Sequence, residues 1–181
     1  MIFSGTLLWL VALAAVLLWI PQNAQHEGMH AFIAKRYGAE IVKMVLYPTD
    51  ADDKLSFTFW KEGHTWAYVQ WTGGNFDDKA RAVTSCIPQV TNTLVLFLLG
   101  GVRFLIDPSP VVVSLLAGWA LVNFIDGAWN LGTFYRPEPE EERKSTDGWS
   151  FQKHSGLDKW LCRGLSACWH LGFGALLFLA W

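Results

Sequence analysis

No lysine or arginine precedes Lys35, and Glu27 is the only acidic residue in the same stretch. A secretory signal peptide opens with a positively charged region. Its absence argues that the long apolar run at the start is retained as a span. Cysteine is scarce as well: Cys86, Cys162 and Cys168 make an odd set without a zinc-ligand spacing, which reads as small apolar packing residues and not as a disulfide framework. Neither sign of charge dominates, with 14 Lys and Arg against 16 Asp and Glu, so neither nucleic-acid nor polyanion binding is indicated. Internal repeats and low-complexity tracts are missing too. At 181 residues the chain makes one domain.

What is abundant is apolar surface. Hydrophobic residues make up 52% of the chain, yet 17% is still charged, a mixture that suits a membrane protein with polar loops. Eleven tryptophans point the same way, because tryptophan favours membrane–water interfaces. Four stretches are long and apolar enough to cross a bilayer, which takes about 20 helical residues. They lie at about residues 3–37, 80–106, 111–134 and 160–181. The predicted fold is thus an all-α polytopic membrane protein with about four spans. Pro21 is expected to kink the first helix without ending it, and Gly38 to stop it. The second span is the most polar, with Thr84, Ser85, Gln89, Thr91 and Asn92 inside it.

Alternating these spans places 13 of the 14 basic residues on one side of the membrane, and only Arg103 on the other. By the positive-inside rule the two long loops are cytoplasmic and both termini outside, consistent with a prokaryotic inner membrane. Between the first two spans, Ala39–Pro48, Lys54–Trp60 and Thr65–Trp71 are rich in β-branched and aromatic residues. They predict a small cytoplasmic β-hairpin with Lys61–His64 as a turn and Trp60, Trp66 and Trp71 near the interface. The charged, proline-broken run Arg136–Thr146 reads as a solvated loop.

The most titratable cluster sits at the end of the first span. His26 and His30 are four residues apart, on one helix face and one turn from each other. That spacing lets two imidazoles share one zinc ion, while Glu27, rotated off the ligand line, is free to act as a base. Ionisable groups at membrane depth cost about 2.5–3.5 kcal/mol each on insertion scales, so they persist where they line a polar cavity or bind something. A catalytic zinc site typically takes a third protein ligand. Asp126, flanked by Asn123 and Asn130 as polar support, lies nine residues before Tyr135. His26 and His30 lie twelve and eight residues before Gly38, so all three fall at nearly one depth. This match favours Asp126. Asp147 is the alternative, since its loop can return to the site. It can equally serve with Ser145 and Thr146 as a cap for a helix starting at Trp149. His64 and His154 read as exposed, and His170 lies at the wrong depth.

With this pair in the first span and Asp126-Gly127 in the third, the chain resembles the site-2 protease family of intramembrane zinc metalloproteases. The likeness is closest over "QHEGMHAFIAKRYGAEIVKMVLYP" (Gln25–Pro48), and looser at "CIPQVTN" in the second span. It implies a three-helix core, zinc on His26, His30 and Asp126, Glu27 as base, and a membrane-protein substrate with a transmembrane helix. Two features depart from the family: Met29 stands where a glycine usually precedes the second histidine, and the Asn-Pro lead-in to the aspartate is missing. A looser branch of the superfamily carries both a buried aspartate and a later Ser-Asp-small motif, which "STDG" (Ser145–Gly148) fits, so the third ligand stays open. The expected reaction is hydrolysis of a locally unwound peptide within the bilayer, with the hairpin from Ile41 to Trp71 offering a strand edge to it. The alternatives are an inactive zinc-binding scaffold and, further off, a transporter or channel using the same polar groups.

Overall fold

The computed structural model describes residues 5–50, 52–57, 65–105, 109–135 and 146–180. Helix α1 (Gly5–Arg36) is uninterrupted, and Pro21 lies inside it. Gly38 then turns the chain into β1 (Ala39–Val45), which pairs antiparallel with β2 (Tyr68–Gly73). The register slips between Ile41 and Lys43, so Val42 bulges outward. Helices α2 (Asp78–Leu105) and α3 (Pro110–Gly132) follow, the latter tightening into a 3-10 turn over Thr133–Tyr135. A short α4 (Asp147–Ser155) and a long α5 (Lys159–Ala180) complete the chain.

Four of these helices, α1, α2, α3 and α5, are long and apolar enough to cross a membrane. Their outer faces carry large apolar side chains such as Trp9, Val16, Phe97, Leu98, Leu171 and Phe178. Such surface is unfavourable in water and suits a lipid solvent. Among the described residues the sheet is a small antiparallel pair. Leu55 and Thr65 make only isolated bridges to Thr49, and the turn at Lys61–His64, with His64 and Trp60, lies outside the described residues. Of the tryptophans expected near the interface, Trp66 packs on Trp19 of α1 at 5.1 Å between ring centroids and Trp71 stacks on Phe76 at 5.7 Å.

Helices α1, α2 and α3 pack against one another as a trio, and α5 leans on α2 and α3 from outside. Trp169 of α5 donates from Nε1 to Thr93 Oγ1 of α2 at 2.9 Å and stacks on Phe124 of α3 at 5.5 Å. Below it, Leu96, Ala120 and Phe173 close a small apolar core. On the other side α1 touches α3 at Gly118. A Cβ there would stand 2.7 Å from the Ala14 Cβ and 2.8 Å from the Ala15 nitrogen. This contact decides how near the face of α1 that carries His26 comes to α3. The sheet is tied to the same helix, because Asn23 Nδ2 donates to the Leu46 carbonyl at 3.1 Å.

Gly118→Val should force α1 and α3 apart and cost about 1–3 kcal/mol by overpacking. The check is thermal unfolding in detergent, where a wild-type midpoint would show that the helices do not meet as closely as described.

Candidate metal centre

His26, Glu27 and His30 are all buried, on the face of α1 turned to α2 and α3. Each imidazole has its Nδ1 committed. His30 Nδ1 lies 2.9 Å from the Thr84 backbone carbonyl of α2, and a carbonyl only accepts, so Nδ1 carries the hydrogen. His26 Nδ1 lies 2.7 Å from Asp126 Oδ2 of α3. That oxygen also accepts from Asn92 Nδ2 at 2.6 Å, and Asn130 Nδ2 reaches Oδ1 at 3.3 Å. A carboxylate collecting donors in this way is an acceptor towards His26 too. In the neutral rings both hydrogens are therefore on Nδ1, and the Nε2 lone pairs are left free.

Those lone pairs face each other and a carboxylate. The two Nε2 atoms are 3.2 Å apart, and Asp147 Oδ2 lies 2.9 Å from His26 Nε2 and 3.1 Å from His30 Nε2. Three acceptor atoms thus crowd together with no hydrogen supplied from the neutral groups. One proton can bridge only one pair of them, while a divalent cation serves all three. The spacing fits as well, since tetrahedral ligation at about 2.0–2.1 Å separates neighbouring ligand atoms by roughly 3.3 Å. His26, His30 and Asp147 form a group that could hold a metal ion.

The third member of this group is Asp147, the alternative to Asp126. Asp126, favoured on depth, does lie against His26, but at the ring nitrogen turned away from the convergence point. Asp147 reaches the convergence point. Nor is Asp147 the helix cap: the cap position of α4 falls on Thr146, and the Asp147 carboxylate in the first turn is turned to the histidines. Burial works to raise the Asp147 carboxyl; positive charge on the facing His30 and His26 rings, when they are protonated, outweighs it and holds the group well below the usual carboxylate range.

Helix α4 is pressed into place from two sides. Ser85 Oγ of α2 donates to Ser150 Oγ at 2.7 Å, and Asp78, at the start of α2, accepts from His154 at 2.8 Å. His154 is correspondingly only 10% exposed at its side chain, against the expectation of an exposed histidine. On the α3 side Gly148 meets the helix end so closely that a Cβ would lie 2.5 Å from both the Asn130 carbonyl oxygen and Thr133 Oγ1. Trp149 packs edge-on against Phe134 at 6.3 Å.

The flanking asparagines divide their work. Asn130 holds Asp126, donating to its backbone oxygen at 3.1 Å as well as to its carboxylate. Asn123 is fully buried and bonds elsewhere, donating to the Trp119 carbonyl at 2.9 Å; it accepts from Gln25 Nε2 at 2.9 Å, and that amide lies 3.1 Å from Asn92 Oδ1. Three contributors escaped the sequence reading: Gln25, Asn92 and the Thr84 carbonyl. Two had a signal, as amides inside apolar helices that need partners there; a backbone carbonyl has none. His170 is engaged elsewhere, at the Ser166 and Ala128 carbonyls.

Gly148→Ala should push the start of α4 off α3 and carry Asp147 out of the group, at about 1–3 kcal/mol. Hydrogen exchange should rise in α4 and stay unchanged in α1 and α3. Unaltered protection of α4 would refute the close contact.

No protein-family model, curated protein or solved structure matches this chain.

Proposed function

We propose that the chain is a membrane-embedded zinc protease that cleaves peptide bonds in or near transmembrane segments of other proteins, with its site towards the cytoplasmic face and both termini outside. The observation that carries this reading is the convergence of His26 Nε2, His30 Nε2 and Asp147 Oδ2 within 3.2 Å of one another on helices apolar enough for a bilayer. Two imidazoles and one carboxylate leave a fourth tetrahedral position open, the pattern of catalytic zinc sites.

In this reading His26, His30 and Asp147 are the ligands. Asp126 is the orienting group behind His26, fixing its tautomer and ring direction as carboxylates behind zinc-bound histidines do. Zinc at this site would polarise a scissile carbonyl and make water acidic enough to react at neutral pH. Glu27 does the proton work. It is buried next in sequence to His26, and among the described residues no hydrogen bond occupies its carboxylate. It takes the proton from the attacking water and returns it to the leaving amide nitrogen. A helical substrate has its carbonyls tied to amides four residues on and must open locally before it can react.

Purified protein should carry one zinc per chain. Asp147→Ala should lose it, and Asp126→Ala should weaken its affinity about 10–100-fold. Glu27→Gln should keep the metal and lose about 10²–10⁴ in turnover of a membrane-inserted substrate. Stoichiometric, equally tight zinc in Asp147→Ala would remove the ligand assignment. Full activity in Glu27→Gln would remove the base, and absence of turnover in the wild type would favour a zinc-binding scaffold.

A further inference from the structure

Helix α2 carries a buried proline in its interior, Pro88. In a regular α-helix the N–H of each residue donates to the carbonyl four positions earlier. The ladder partner of residue 88 is therefore Thr84, and a proline has no hydrogen to give it. The carbonyl released in this way is the one that His30 Nδ1 approaches at 2.9 Å. The Thr84 hydroxyl is turned elsewhere, donating to the Ala80 carbonyl at 2.7 Å.

We propose that Pro88 is a positioning residue for the metal centre: by withholding an N–H from the helix ladder it leaves the Thr84 carbonyl to His30 Nδ1–H, and so holds His30 in the tautomer whose Nε2 lone pair faces His26 and Asp147. The metal part of this statement rests on the reading of His30 as a ligand. The tautomer part stands on the geometry alone.

The energetics make the placement intelligible. An interior proline costs a helix about 3 kcal/mol, part of it as an acceptor deprived of its partner. Buried carbonyls go unpaired at a penalty, so one released inside the bundle captures whatever donor is in reach. Here the donor is an imidazole, and the exchange serves both groups. A neutral imidazole otherwise distributes its hydrogen over either nitrogen. The form with hydrogen on Nε2 would aim a donor at the convergence point and block ligation there. His26 is fixed by a carboxylate, and His30 by a missing N–H in the hydrogen-bond ladder of a neighbouring helix.

The test reads the ring directly. ¹⁵N-histidine-labelled, metal-free protein is studied by NMR at a pH where the rings are neutral, with His30→Gln used to assign the His30 signals. In the wild type and in Thr84→Ala, which keeps the carbonyl, His30 should carry its hydrogen on Nδ1. In Pro88→Ala, which restores the N–H, the population with hydrogen on Nε2 should rise. A variant with lactate at position 88, an ester that lacks both the ring and the N–H, should behave like the wild type. It also keeps the test decisive should Pro88→Ala not fold. A wild-type tautomer in Pro88→Ala, or an altered one in the lactate variant, would overturn the proposal. Zinc affinity by chelator competition should then fall about 10–100-fold in Pro88→Ala and be retained with lactate. A wild type that binds no zinc would sink the metal reading while the tautomer result still decides the role of Pro88.

Discussion

His26 and His30 each give the Nδ1 hydrogen to an acceptor on another helix, and the rest of the centre follows from that commitment. With Nδ1 spent, each ring can offer only a lone pair towards Asp147, and three acceptors are brought to one point. Such a convergence is costly inside an apolar bundle unless positive charge compensates it. The surrounding amides keep it from relaxing. Gln25 bridges Asn92 and Asn123, while Asn92 and Asn130 hold Asp126 from opposite ends. A connected polar network of this kind restrains its members more than isolated pairs do.

Backbone contacts set the distances that the hydrogen bonds then exploit. Gly118 lets α1 lie against α3, and Gly148 lets α4 lie against the end of the same helix. Helix α3 is therefore the common reference for both histidine-facing carboxylates. Asn130 joins them, since its side chain holds Asp126 while its carbonyl oxygen meets Gly148 and accepts from Thr133 Oγ1 at 2.6 Å.

The sequence was most informative where one local rule had one outcome. Long apolar runs became long helices, with ends within a few residues of those expected. The four-residue histidine spacing became two rings with centroids 5.0 Å apart on one face. Depth counting also worked for Asp126, which does sit level with His26. It could not say on which side of the ring the carboxylate would lie, because that depends on where α4 docks. Asp147 looked like a helix cap, since capping is a local preference, while its attachment is decided by Ser85, Asp78 and the end of α3, all distant in sequence. Asn92 counted against its span by hydropathy, though a fully buried amide there turned out to be a support for Asp126.

The wide separation of the converging groups along the chain has a consequence for biosynthesis. His30 and Asp147 are 117 residues apart, and the helices between them must be made and assembled before the two can meet. Translation delivers the N-terminal part first. A nascent chain therefore holds two histidines that cannot yet meet Asp147, and the three-sided group closes only once α4 has been made and has docked.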